Sequence, residues 1–152
     1  MAVIFFIFTR IKCIKEIILN SDKNKTICIN GSHFSDLQGF YEEVSRVLMK
    51  DADWTVGTLD GFDDILYGGF GAFENNEEIE LIWNESEKSK EDLGFYATRE
   101  FYERKIQQGQ PFNVELIQQK LNQLVSGKGQ TLFEILIEII ESHKNITLIL
   151  NG

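Results

Sequence analysis

With 152 residues, 43% of them hydrophobic and 26% charged, the chain has the length and composition of one globular domain whose core needs neither metal nor disulfides, which sets aside disordered and fibrous classes. Its formal net charge of -9 sets it against nucleic acid and anionic membrane as partners. Cys13 and Cys28 lack CxxC spacing and fit packed thiols in a reduced, cytoplasmic protein, with a single disulfide left open.

In chain order, Ala2 to Phe8 is an unbroken apolar run, too short to span a bilayer, which takes about 20 apolar residues. A buried strand, a buried helix and an added leader all fit it. No basic residue precedes it and no small-residue cleavage site follows, so a signal peptide is not expected. Residues 11 to 19 mix helical and strand patterns. After the polar loop Asn20 to Lys25, Thr26 to Asn30 reads as a buried strand closed by Gly31. Ser35 and Gln38 have capping-box spacing ahead of a helix whose stripe is Leu37, Phe40, Tyr41, Val44, Val47 and Leu48.

A short helix is expected next, capped by Thr58 and ended near Gly68. Leu59, Phe62 and Leu66 face inward, and Asp60, Asp63 and Asp64 outward. A strand over Glu78 to Trp83 and a polar helical segment over Asn84 to Asp92 follow. Two helices, 95 to 107 and 112 to 125, come before a largely buried helix from Thr131 to Ser142 that shows Glu134, Glu138 and Glu141 on its edge. Asn145 to Leu150 makes the third strand. Strands joined by helical crossovers suit a parallel sheet, so the fold class expected is α/β, a small three-stranded sheet packed against helices.

Between Asp51 and Glu87 there are eleven Asp and Glu residues and no Lys or Arg, and the rest of the chain holds 13 acids against 15 bases. The acidity is therefore local. Such a patch speeds association with a cationic partner, although a charge run is also the usual composition of a solvated face.

Together with the order of elements, the stretches INGSHF, LDGFDDILYGGFG, IELIW, SEKSKEDL and GQTLFEILIEIIESHKNITLIL resemble the barstar family of ribonuclease inhibitors. The resemblance covers about Thr26 to Leu93 and Lys128 to Asn151, so residues 26–152 form one domain with a helical insertion at about 94–127, after an N-terminal extension of residues 1–25. It implies a non-catalytic, cofactor-free cytoplasmic inhibitor that binds a basic ribonuclease of the barnase type one to one, without contacting nucleic acid or membrane. Asp64 matches the aspartate that enters the enzyme's phosphate site, Asp60 the aspartate one turn earlier, and Trp54 an aromatic contact. Thr58, Leu59, Gly61, Asp63 and Gly68 fall in the same contact segment. Glu138 matches an acidic contact on the last helix, and a shift of one turn would choose Glu134 instead. The chain departs from the family in its 54–58 loop, in the insertion and in the extension. An immunity or interaction protein for another cationic toxin or partner is therefore the alternative.

Enzyme readings of the same residues find less in the sequence. Asp51, Asp53 and Thr55 begin like a calcium loop, but Val56 stands where the turn glycine belongs and Phe62 where the bidentate Glu belongs. Asp60, Asp63 and Asp64 have no Lys or Arg nearby in sequence to hold a phosphate substrate for a magnesium enzyme. His33 and His143 are expected as capping or surface residues, with Ser32 and Ser35 beside the first.

Overall fold

The computed structural model describes residues 24–152. The expectations for residues 2–8 and 11–19, and nearly all of the N-terminal extension, lie outside the described residues, as does Cys13. Strand β1 spans Lys25–Asn30, β2 Ile79–Asn84 and β3 Ile146–Asn151. They form one parallel sheet in the order β1-β2-β3, with Ile27, Leu81 and Leu148 in register across it. Six helices are described: α1 (Leu37–Leu48), α2 (Leu59–Ile65), α3 (Ser86–Asp92), α4 (Phe95–Gln108), α5 (Val114–Val125) and α6 (Leu132–Ser142). The chain is α/β, with helices in both crossovers.

The central strand is the most apolar because neighbours cover it on both sides: Ile79, Leu81, Ile82 and Trp83 are all buried. Trp83 organises the core. Its indole stacks on Phe40 of α1 at 5.2 Å and meets the edge of Phe133 of α6 at 5.2 Å, and its Nε1 donates to Ser89 Oγ of α3. Phe40 in turn meets Phe62 edge to face at 5.1 Å, which seats α2 on the same core. The stripe predicted for α1 is the one that packs. Its cap differs, since Asp36 rather than Ser35 accepts from the Gly39 N–H, at 2.8 Å. Thr131 and Glu134 form a full capping box at the start of α6.

Helices α4 and α5 pack chiefly on each other, and α5 buries only Leu124. The hairpin is tied to the sheet domain where Thr98 Oγ1 accepts from the Leu132 N–H at 2.7 Å. Val114 and Val125 of α5 are exposed. Cys28 on β1 is disulfide-bonded, which corrects the expectation of a packed thiol there. Among the described residues, no helix is long and apolar enough to cross a membrane.

Candidate partner-binding site

Helix α2 has seven residues, too few to hold its shape alone, and the surroundings fix it. Thr58 Oγ1 accepts from the Gly61 N–H at 2.9 Å, as predicted. Phe62, Ile65 and Leu66 are buried and Leu59 packs half-buried against them, so the apolar side anchors the helix. The loop before it is held by Val56, whose side chain is buried and whose N–H donates to Ser45 Oγ at 2.9 Å. After it the chain reverses through Gly68, at φ +87°, where any side chain would collide with the Glu74 carbonyl.

This scaffold turns Asp60 and Asp64 outward, one helical turn apart. Both are exposed, and neither carboxylate takes part in a hydrogen bond or ion pair among the described residues. Asp63 differs: its Oδ1 accepts from His143 Nε2 at 2.7 Å, which joins α2 to the end of α6. His143 is the C-cap of α6, in line with the expectation of a capping residue, but it is buried rather than on the surface, and its ring meets the edge of Tyr67 at 4.6 Å. Trp54 is exposed and leans edge to face on Phe70 at 5.8 Å, while Gly61 is half-buried inside α2.

Glu138 is exposed on α6, and its carboxylate accepts from Gln130 Nε2 at 2.6 Å. Glu134 spends its carboxylate on the Thr131 N–H, so of the two register choices only Glu138 leaves a carboxylate clear of the helix cap. Gly68 is buried and shapes the turn rather than the surface. Tyr67, three residues after Asp64, is 54% exposed; the acidic stretch contained it, but no periodicity marked it.

The sequence reading also missed a basic neighbour. A groove of ≈ 450 Å³ runs between α1 and α4, with Gly57, Thr58 and Leu59 in its lining and, on the α4 side, Lys105 and the ion pair of Arg104 with Glu100. Lys105 Nζ lies over the rings of Phe101, at 4.3 Å, and Phe112, at 4.8 Å. Burial and repulsion from Lys120 push the Lys105 ammonium below its ordinary range, and the Asp60 carboxylate opposes them. Tyr41, in the same groove, is pushed up to about 12 by burial and by Asp60. The field of Asp60 thus reaches groove residues far from it in sequence.

The other candidate cluster lies at the end of β1. Glu43 is buried and accepts from the Asn30 N–H at 3.0 Å, from Arg46 Nη2 at 2.9 Å and from His33 Nδ1 at 2.9 Å. Burial alone would raise its carboxyl, but the hydrogen bonds from Arg46, His33 and Asn30 outweigh it and hold the group below the usual carboxylate range. Asn30 Oδ1 accepts from the Ser32 N–H and hydroxyl, which leaves Asn30 Nδ2 to donate to His33 Nε2 at 3.1 Å. The Ser32 hydroxyl therefore points to Asn30 rather than to the imidazole, and the cluster works as a lock between β1 and α1. Among the described residues, no group of three or more His, Cys, Asp or Glu is placed to hold a metal ion.

No protein-family model, curated protein or solved structure significantly matches this chain.

Proposed function

We propose that the chain is a barstar-type protein inhibitor that blocks the active site of a basic ribonuclease or nuclease-like toxin one to one. The observation that carries the reading is the pair Asp60 and Asp64: two exposed carboxylates without internal partners, on a short helix fixed at its cap, its turn and its apolar side. A ribonuclease gathers Arg, Lys and His to hold phosphate, and a carboxylate held rigidly can take the phosphate's place with charge-assisted hydrogen bonds. Rigidity matters because ordering the helix on binding would otherwise subtract from affinity. In this reading the exposed Trp54 and Tyr67 supply aromatic contacts, and Glu138 a second charged contact from α6. In this scheme Asp63 is a positioning residue, since its carboxylate is engaged with His143.

Action inside the cytoplasm belongs to the same proposal as the site where such an inhibitor protects its own cell. The disulfide at Cys28 weighs on the other side, because disulfides persist in oxidising compartments. The test is titration of the full chain against a panel of barnase-type ribonucleases and other basic nuclease toxins, scoring RNA cleavage at low and high salt. Inhibition saturating at one to one and lost with Asp64→Ala supports the proposal, and no inhibition of any panel member removes it. The second reading, an interaction or immunity protein for another cationic partner, rests on the same acidic face and differs in the partner alone.

A further inference from the structure

The groove beside α2 is built by the hairpin as much as by the sheet domain. Its walls are apolar in the middle, with Leu37 and Tyr41 from α1, Leu59 from α2 and Phe101 and Phe112 from the hairpin. Gly57 leaves it open, because a Cβ added there would meet nothing within 4 Å and the backbone at that glycine needs no positive φ. Of the groove's charged lining residues Arg104 is ion-paired to Glu100 and Asp36 caps α1, which leaves Lys105 as the cation without an ion-pair partner among the described residues. Lys105 and Lys120 both line the adjoining cavity of ≈ 290 Å³, which they share with Leu59. Neither lysine forms a hydrogen bond or ion pair among the described residues, and Lys105 is held in place by the two aromatic faces. Two ammonium groups kept together next to an apolar slot fit an anion attached to an apolar group.

We propose that this groove docks an acidic, apolar segment of a partner protein, with one aromatic or branched side chain between Tyr41 and Phe101 and a neighbouring carboxylate at Lys105 and Lys120. The inference rests on the inhibitor reading in one respect, that the segment belongs to the same partner that meets Asp60 and Asp64. The face would then have two signs: acidic along α2 for the partner's basic cleft, and basic at Lys105 and Lys120 of the hairpin for a segment bordering that cleft. Discrimination between related nucleases would come from the hairpin side, because every nuclease cleft that holds phosphate is basic, whereas a bordering acidic segment is not a requirement of the chemistry.

The probe is a pair of capped hexapeptides, Gly-Asp-Phe-Glu-Leu-Glu and its charge-reversed form Gly-Lys-Phe-Lys-Leu-Lys, titrated to millimolar concentration into the isotope-labelled full chain and followed by amide chemical shifts. Shifts at Gly57, Leu59, Phe101, Lys105 and Lys120 with the acidic peptide alone are expected. Lys120→Glu should weaken that binding about tenfold or more, because it sets like charges together. Gly57→Trp, which fills the slot, should abolish it, whereas Lys90→Glu, an equal charge change on α3, should leave it unaltered. Thermal unfolding of each variant checks that it is folded. Absence of groove shifts, equal binding of the basic peptide, or equal weakening by Lys90→Glu overturns the proposal. None of these results depends on whether any nuclease in the panel is inhibited, so failure of the groove and failure of the inhibitor reading are separable.

Discussion

Asp64→Ala separates a functional carboxylate from a structural one by the sign of its effect on stability. Asp64 sits in the last turn of α2, exposed and without a hydrogen bond or ion pair among the described residues. A negative side chain at that end faces the negative pole of the helix, which is unfavourable by roughly 0.3–1 kcal/mol. Alanine is also the better helix former by about 0.5 kcal/mol. The variant should therefore be more stable by about 1 kcal/mol, which for a chain of this size raises Tm by about 2–4 °C. Binding should move the other way. Loss of one desolvated charge-assisted pair at an interface costs about 2–5 kcal/mol, which is roughly a 30- to 4,000-fold rise in Kd. Differential scanning calorimetry reads the first effect, and calorimetric titration against the ribonuclease inhibited most strongly in the panel reads the second. A lower Tm with unchanged Kd would refute the reasoning, because Asp64 would then serve the fold.

Three further outcomes follow from internal contacts. Removing Asp63 by Asp63→Ala leaves the buried His143 N–H without its acceptor, and the urea midpoint should fall by the equivalent of about 1–3 kcal/mol. Glu43 is held below its ordinary value, so its contribution to stability is fully present above the unfolded-state pKa of about 4.5 and is lost as pH falls through the lower folded value. Glu43→Gln should cost about 3 kcal/mol at neutral pH, and urea unfolding repeated at falling pH should show the gap between variant and parent closing below that range. Gly68→Ala, at φ +87° and against the Glu74 carbonyl, should destabilise by roughly 1–3 kcal/mol. A midpoint unchanged from the parent would show that the turn relaxes.

What the sequence made legible was whatever is set by neighbours along the chain. Thr58 caps α2 because a hydroxyl three residues ahead of an N–H reaches it in any helix, and the burial of Phe62 and Leu66 follows from helical spacing alone. The three strands were visible as short apolar runs between polar breaks, and helical crossovers dictated their parallel pairing. Contacts between residues far apart in sequence were not visible. His143 lies 80 positions from Asp63, and nothing in either segment marks the pair. Likewise Lys105 reads as one more cation on a polar helix, and only the placement of the hairpin brings it beside Leu59 and within the field of Asp60. The cap of α1 was misread for a local reason, since Ser35 and Asp36 are both good capping residues and one position separates them.

The arrangement around α2 argues that its acids are kept for something other than stability. Three aspartates within two turns repel one another, and two of them, Asp63 and Asp64, stand at the wrong pole of the helix. The fold meets this with a side-chain cap, a buried apolar side, a glycine turn and a tie from Asp63 to His143, each at a different point on the helix. A solvated face placed for solubility would need none of these, because charges that only repel water-borne neighbours work as well on a frayed segment. Fixing Asp60 and Asp64 in one geometry is useful when a partner must find both carboxylates already in place, so that binding does not have to order them. Lys105 is held in place in the same way, its ammonium clamped by two rings at the groove instead of trailing into solvent.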